Sequence, residues 1–243
     1  MLSVIVIVKN ESRVIRRCLE SVAFATELIV LDSGSTDDTV AIAQEFTSHV
    51  HSTDWQGYGV QKQRALALAT QPWVLNVDAD ELVDGELQKA ILQAITSDEW
   101  DAYRIPIRLS FYGKQLRFSG SPTRHVRLFK REGAYYAPDK VHEKITLPAK
   151  TRIARIPQAI WHDSYRDLSH AIEKMNKYSS YSAATRARSG YGVGRAICGS
   201  IWMFFRNYIL QGSVWDGKAG FVLSVLAAQG TFYRYMKICY PDV

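Results

Sequence analysis

A chain of 243 residues that is 47% hydrophobic and 22% charged has the composition of a globular protein with a sizeable core, not of a disordered or fibrous one. Its three cysteines form no C-x-x-C pair, which argues against a disulfide framework or a zinc site and favours a reducing cytoplasm. The formal net charge of +6 is uneven, because residues 1–160 hold 20 basic and 19 acidic side chains whereas residues 161–243 hold 10 and 5.

The first hundred residues predict strands and helices in alternation. Apolar runs at 4–8, 28–31 and 73–77 have the length of buried strands, and apolar residues at helical spacing follow each of them. The first run has no basic segment before it and is too short to span a bilayer, so we expect neither a secretion signal nor a membrane anchor there. This alternation predicts an α/β fold with an open, mainly parallel sheet and helices on both faces.

Two carboxylates one residue apart, Asp78 and Asp80, stand at the end of the third apolar run. Side chains two positions apart on a strand point the same way, so both can face one ligand. Mg²⁺ and Mn²⁺ commonly keep only one or two protein carboxylates and take their other oxygens from water and phosphates. The motif therefore predicts a divalent metal site for a phosphorylated ligand, with a solvated acidic turn as the alternative.

Polar segments follow all three predicted strands, at 9–11, 32–35 and 78–80. Ligands of open α/β sheets bind beyond the carboxyl ends of the strands, so these segments are expected to converge on one site. Ser35 and Asp38 also match a capping box that would open the next helix. Neither the G-x-G-x-x-G pattern nor a P-loop is present, so we expect a metal, not a glycine-rich loop, to hold a diphosphate.

Four motifs together carry a family resemblance: VIVKNE at 6–11, DSGSTDDT at 32–39, QKQRA at 61–65 and VDADE at 77–81. In their order and spacing they resemble the family 2 glycosyltransferases of the GT-A (Rossmann-like) fold, over residues 1 to about 150. The segments RHVRLF at 124–129 and VHE at 141–143 resemble the bacterial subgroup of lipopolysaccharide core glucosyltransferases.

The resemblance implies an inverting glycosyltransferase that uses a nucleotide-diphosphate sugar, with UDP-glucose as the favoured donor, and a divalent cation, Mg²⁺ or Mn²⁺. It also implies a lipid-linked saccharide acceptor, either the lipopolysaccharide core or a similar glycolipid or glycan. Which sugar and which nucleotide are used depends on a few side chains of the pocket, which the motifs do not define.

Candidate site residues follow from matching the motifs position by position. The nucleotide-sugar-binding candidates are Val8, Asn10, Glu11, Asp32, Ser33, Gly34, Lys62, Arg64, Asp78, Arg124 and His125. The metal candidates are Asp80, which would bridge to the diphosphate, and Asp78, which would contact the metal or the ribose. The family more often has Arg-Asn where this chain has Gln63-Arg64, so the interpretation of Lys62 and Arg64 as solvated helix charges stays open.

Transfer also needs a base, because an acceptor hydroxyl attacks poorly until its proton is removed. The subgroup resemblance favours Glu143 as this base. His142 would orient Glu143 or contact phosphate, and both His142 and Asp139 remain alternatives for the base itself.

Two regions follow the first hundred residues. Residues 101–160 have the alternation of strands, and we assign them to the acceptor half of a catalytic domain 1–160 whose first hundred residues bind the nucleotide sugar. Residues 161–243 predict a C-terminal extension of helices rich in aromatic and basic residues. These helices either lie on an anionic membrane surface, which predicts a cytoplasmic protein peripherally attached to the inner membrane, or pack as a subdomain on the catalytic domain.

Two other classes of function receive less support from the sequence. A pI near 9.2 with interleaved aromatic residues is compatible with a nucleic-acid-binding module, but the basic excess is confined to the last third and no nucleic-acid-binding motif is present, so we expect no nucleic-acid partner. A non-catalytic GT-A-like scaffold is the second alternative, and retention of Asp32, Asp78 and Asp80 speaks against it. The sequence does not define an oligomeric state.

Overall fold

The structure, a computed structural model, describes residues 1–111, 113–119, 123–137, 144–163, 165, 167–184 and 192–240. These residues form two compact units. The first unit comprises Met1–Ile107 with Pro122–His162, and the second comprises Arg108–Ser121 with Asp163–Val243.

The strands of the described residues are β1 Leu2–Val8, β2 Glu27–Asp32, β3 Val50–Ser52, β4 Trp73–Asp78, β5 Glu81–Leu82, β6 Ala102–Phe111, β7 Lys114–Gln115, β8 Thr123–Lys130, β9 Tyr135–Tyr136, β10 Ile145–Thr146, β11 Ile153–Arg155 and β12 Ile160–His162. The helices are α1 Ile15–Ser21, α2 Thr39–Gln44, α3 Tyr58–Leu68, α4 Gly85–Thr96, α5 Leu168–Ala184, α6 Val193–Phe205 and α7 Lys218–Cys239, with a π-helical turn at Arg206–Leu210 and a 3₁₀ turn at Ser213–Asp216.

The main sheet has the order β3-β2-β1-β4-β8-β6-β12-β5. Its first four strands run parallel, and β8 runs antiparallel to both β4 and β6. In this register Val8 lies opposite Asp32 and Ile7 lies opposite Asp78. The polar segments that follow β1, β2 and β4 therefore meet at one edge of the sheet, as predicted.

The core explains why β1 is apolar along its whole length. Leu2, Val4 and Val6 pack on one face of the sheet with α1, α2 and α4, whereas Ile5 and Ile7 pack on the other face with α3. A strand that is buried on both faces reads as a continuous apolar run instead of an alternating one. The predicted α/β fold with helices on both faces is confirmed.

The start of α2 differs from the predicted capping box. The helix begins at Thr39, after Asp38, and the side chain of Asp38 makes no capping hydrogen bond. The hydroxyl of Ser35 instead accepts a hydrogen bond from the backbone N–H of Asn10 at 2.8 Å. The capping prediction was wrong because the loop after β1 lies beside Ser35 and takes the acceptor that the helix would have used.

The second unit contains the predicted helical extension and a short hairpin formed by the end of β6 and by β7. In the hairpin Ser110 of β6 pairs with Gln115 of β7. The core of the second unit is formed by Phe111 and Leu116 together with Ala171 of α5 and Leu226 of α7. No helix among the residues described is both long and apolar enough to cross a membrane.

Candidate functional site

A cavity of about 550 Å³ lies at the carboxyl edge of the parallel strands, and we call it the edge cavity. Six of the predicted site residues line it, namely Val8, Asn10, Glu11, Lys62, Asp78 and Asp80. Three further lining residues, Trp55, Tyr58 and His162, were missed by the sequence analysis. The sheet topology thus collects side chains from four separate stretches of the chain into one site.

Side-chain hydrogen bonds connect the loops that follow β1 and β2. Asn10 has a left-handed backbone with φ of 56°, and its Oδ1 accepts from the N–H of Thr36 at 2.8 Å. A Cβ on Gly34 would meet no atom within 4 Å, so there is space for a side chain. Glycine is favoured because the backbone has φ of +86°, which other residues rarely adopt. The contact between the two loops fixes the rim of the edge cavity next to Asn10 and Glu11.

Asp32, Ser33 and Gly34 lie in the turn that supports this rim and do not line the edge cavity. Asp32 is 2% exposed, and its carboxylate accepts from the backbone N–H groups of Gly34 and Ser35 at 3.0–3.2 Å. Ser33 Oγ accepts from Nε2 of the buried Gln61 at 2.7 Å. Asp32, Ser33 and Gly34 thus determine the shape of the loop that follows β2.

The two cations of α3 point to different places. Lys62 is 5% exposed and lines the edge cavity, with Nζ 3.2 Å from Oδ1 of Asp78. Arg64 does not line it, because its Nη1 donates to Thr53 Oγ1 at 2.7 Å and to Asp54 Oδ1 at 2.8 Å. Of this pair, only Lys62 faces the acidic motif.

Asp78 is held by cations on both sides. Its Oδ2 accepts from Nη2 of Arg127 at 2.9 Å, opposite the contact with Lys62. Burial alone would raise the pKa of Asp78, but the charges of Arg127 and Lys62 outweigh it and hold that pKa well below its usual range. The Asp78 carboxylate is therefore ionised and its charge is compensated within the protein.

Glu81 completes a buried network beneath the motif. Its Oε1 accepts from Arg127 Nη2 at 2.8 Å and its Oε2 accepts from the N–H of Asp78 at 2.8 Å. Burial, and then the nearby Asp78 charge, raise the pKa of Glu81 to about 7 although Arg127 acts in the opposite direction. Arg127 thus joins two carboxylates that the sequence placed on one short segment.

Asp80 faces a different partner. Its Oδ2 lies 2.8 Å from Nε2 of His162, and the side chains are 34% and 29% exposed. Pairing of β12 with β5, which sets His162 opposite Glu81, brings the imidazole to the acidic motif. No group of three or more His, Cys, Asp or Glu that could hold a metal occurs within the described ranges, so Asp80 and His162 would supply at most two protein ligands there.

A second cavity of about 620 Å³ shares Lys62, Asp78 and His162 with the edge cavity. We call it the basic cavity, because the further side chains that line it include Arg104, Arg127, His125 and Lys144. Burial, and then the charge of Arg127, lower the pKa of His125.

The remaining predicted residues are not described. Asp139, His142 and Glu143 lie outside the described residues, and the side chain of Arg124 is likewise not described. Their predicted roles stay predictions.

Comparisons with known proteins agree with this architecture. The model described as Glycosyl transferase family 2 matches residues 3–148. The chain is 32% identical to an uncharacterized glycosyltransferase of Rickettsia conorii (strain ATCC VR-613 / Malish 7), covering 98% of this chain and 89% of the relative. It is 31% identical to the lipopolysaccharide core biosynthesis glycosyltransferase LpsC of Rhizobium meliloti (strain 1021), covering 98% and 91%.

Among solved structures, S. aureus TarS 1–349 in complex with UDP has a TM-score of 0.52 and 15% identity, covering 99% of this chain and 92% of that one. Likeness at that identity concerns the fold alone. A sheet of this topology with an acidic motif at its carboxyl edge is that of a GT-A glycosyltransferase. Because the family model covers more than half of the chain, the protein belongs to glycosyl transferase family 2. The resemblance, the fold and the enzyme class predicted from the sequence are thereby confirmed.

Proposed function

We propose that this protein transfers a sugar from a nucleotide-diphosphate sugar, with UDP-glucose as the favoured donor, to the lipopolysaccharide core or a similar glycolipid or glycan. The observation that carries the proposal is the edge cavity, where Asn10, Lys62, Asp80 and His162 meet. The relative named for lipopolysaccharide core biosynthesis supports the acceptor class, and the complex of TarS with UDP supports a uridine nucleotide.

Two aromatic rings give the edge cavity a place for a nucleobase. Trp55 is 42% exposed and Tyr58 is 50% exposed, and their ring centroids lie 4.8 Å apart in an edge-to-face arrangement. Every base has a π-face, so an exposed ring in a phosphate-binding cavity favours stacking on a base. Asn10 and Glu11 then offer polar groups to the ribose and the base edge.

Asp80 and His162 are the residues we assign to Mg²⁺ or Mn²⁺. A carboxylate oxygen suits either ion, and both ions commonly complete their coordination with water and substrate phosphates, so two protein ligands suffice. Asp78 is engaged by Lys62 and Arg127, whereas the partner of Asp80 is His162 at 2.8 Å. When bound, the ion would neutralise charge on the departing nucleotide diphosphate.

The basic cavity is the place we assign to the acceptor. It adjoins the edge cavity at Lys62 and His162, so an acceptor there would lie next to the donor. Arg104 and Lys144 suit the phosphates or carboxylates of an anionic saccharide. Inversion requires a base on the acceptor side, and Glu143 is the favoured residue, with His142 and Asp139 as alternatives.

We further propose that the helical unit works at an anionic membrane surface. Between residues 174 and 241 the sequence has nine Lys or Arg and a single acidic residue, Asp216. Asp216 is 3% exposed, and its carboxylate accepts from the backbone N–H groups of Arg117, Phe118 and Ser119. With its one carboxylate buried, this stretch carries an excess of positive charge, which suits anionic lipid headgroups.

An apolar face accompanies these charges. Val193, Ile197, Ile201 and Phe205 recur every four residues on α6 and are 44–64% exposed. Trp202 beside them is 56% exposed. Large apolar side chains on one face of a helix, flanked by cations, are typical of helices that lie in the membrane interface.

The experiment that tests the enzyme is turnover of nucleotide sugars by the full chain. UDP-glucose and related donors are incubated with Mn²⁺ or Mg²⁺, with and without EDTA, and release of UDP is measured in the presence of a lipopolysaccharide core acceptor. We expect metal-dependent UDP release and a glycosylated acceptor. A protein that neither binds nor turns over any nucleotide sugar with either metal would contradict the proposal and favour the scaffold.

A further inference from the structure

The helical unit contains a cavity of its own, of about 340 Å³, which we call the helical-unit cavity. Along α7 its lining extends from Leu223 to Arg234, and eleven residues of α-helix rise about 16 Å. On the side of α5, a Cβ built on Gly230 would lie 3.1 Å from Cγ of Met175, so the two helices come close there. The cavity is thus elongated, and its volume is within the range of small-ligand sites.

The charge of its lining is of one sign. Lys174 and Arg234 line the cavity, and no Asp or Glu is among the lining residues that the structure describes. Lys174 precedes Met175 and Arg234 lies one helical turn after Gly230, so both cations belong to the part of the lining where α5 meets α7. A lining with two cations and no described carboxylate attracts an anion.

Arg234 provides the second observation. Its Nε is shielded from solvent and has no hydrogen-bond partner in the described part of the chain. A buried donor without a partner is costly, and buried polar groups are nearly always paired with protein, water or ligand. A guanidinium has a planar set of donors that matches the oxygens of a phosphate.

The remainder of the cavity suits an apolar chain. Leu109, Leu223, Leu226 and Ala227 line it. Polar residues, among them Ser119 and Asn207, also line it, and two of its hydroxyl groups already donate to backbone oxygens. Ser224 donates to the carbonyl of Gly220 at 2.7 Å and Thr231 to that of Ala227 at 3.0 Å. Since each hydroxyl has one proton, these two offer no further donor to a ligand.

We propose that the helical-unit cavity binds a phosphate monoester carried on an apolar chain, with the phosphate at Arg234 and Lys174 and the chain along α7. This site lies within one unit of the protein and is separate from the edge cavity. The proposal does not rest on the donor chemistry.

Decyl phosphate, below its critical micelle concentration, is the probe, and its binding to the full chain is measured by calorimetry with and without saturating UDP and Mn²⁺. We expect saturable binding that UDP does not displace. Glucose 1-phosphate, which lacks the chain, and decyl glucoside, which lacks the charge, are each expected to bind at least about 10-fold more weakly. Loss of one charged hydrogen bond should weaken decyl phosphate about 10-fold or more in Arg234→Gln.

The second variant, Lys174→Gln, should also weaken the binding of decyl phosphate. The control is Lys177→Gln, because Lys177 is an exposed cation of α5 that does not line the cavity, and this variant should bind as the parent does. Thermal unfolding without ligand identifies any variant that fails to fold. Unchanged affinity in both folded cavity variants, equal binding of either control ligand, or displacement by UDP would overturn the proposal. Metal-dependent sugar transfer is assayed separately, so failure here leaves the proposed function standing.

Discussion

Oδ2 of Asp78 accepts a hydrogen bond from Nη2 of Arg127 at 2.9 Å. The same nitrogen lies 2.8 Å from Oε1 of the buried Glu81, so one guanidinium compensates two carboxylates of the acidic motif. Asp80 pairs instead with His162 on the cavity side. The two aspartates of the motif differ in their partners, because Asp78 is held by two cations whereas Asp80 is paired with His162.

This network predicts that Arg127 is required for folding stability. Arg127→Gln leaves two carboxylates facing each other with one cation removed, and breaking a buried ion pair from one side typically costs about 3–5 kcal/mol. We expect the free energy of unfolding, measured in urea, to fall by about 3 kcal/mol. The double variant Arg127→Gln/Glu81→Gln should recover part of the loss, because the buried uncompensated charge is gone.

Arg16→Gln is the matched control. Arg16 forms an exposed ion pair with Glu45, with side chains 45% and 53% exposed, and such exposed pairs contribute little to stability. A loss in Arg127→Gln no larger than that of Arg16→Gln would show that the buried network does not stabilise the fold.

The Asp80–His162 pair predicts how donor binding depends on metal. Asp80→Ala should abolish the Mn²⁺-dependent part of UDP binding, and His162→Ala should weaken Mn²⁺ affinity at least about 10-fold. Calorimetric titration of UDP at several Mn²⁺ concentrations, with EDTA as the metal-free reference, measures both effects. Asp54→Ala, a surface carboxylate outside the edge cavity, is the control. Metal-dependent binding that survives in both site variants would place the cation elsewhere.

The sequence predicted β1, β2 and β4 and the acidic motif at their carboxyl edge, because those signals are local. The apolar run of β1 and the carboxylates after β4 are each defined by a few neighbouring residues. His162 could not be found in this way, because it stands 82 positions after Asp80 and reaches it only through the pairing of β12 with β5. Ser35 was assigned to the wrong partner for the same reason, since its contact with Asn10 spans 25 positions.

Stacking on an aromatic ring gives a third prediction. Trp55→Ala should lower the affinity for UDP about 10-fold, because base stacking on an aromatic side chain is worth about 1–3 kcal/mol. Tyr58→Phe, which keeps a ring of similar size, should bind UDP nearly as the parent does. Equilibrium titration of UDP with quenching of tryptophan fluorescence, or calorimetry for the Trp55 variant, measures the change. Equal affinity of parent and Trp55→Ala would mean that the base binds away from this ring.

The base assignment predicts a separation of binding from turnover. Glu143→Gln should keep the affinity for UDP-glucose and lose transfer by about 10²–10⁴-fold, because the variant cannot accept the proton of the acceptor hydroxyl. Single-turnover transfer and donor titration are measured on the same preparation, with Glu132→Gln as a neighbouring surface control. Full activity of Glu143→Gln would move the base to His142 or Asp139, which are then replaced in turn.

The helical unit predicts binding to anionic vesicles that depends on its cations and on its apolar face. Near an anionic surface each Lys or Arg contributes about 1 kcal/mol, so Arg206→Glu/Lys218→Glu should weaken binding to phosphatidylglycerol-containing vesicles at least about 30-fold. Ile201→Gln should weaken it through loss of apolar contact and should act on neutral vesicles as well. Co-sedimentation at increasing salt measures both, and turnover on a soluble acceptor analogue should stay unchanged. Equal sedimentation of the parent and the charge variant would favour the alternative that these helices pack as a subdomain.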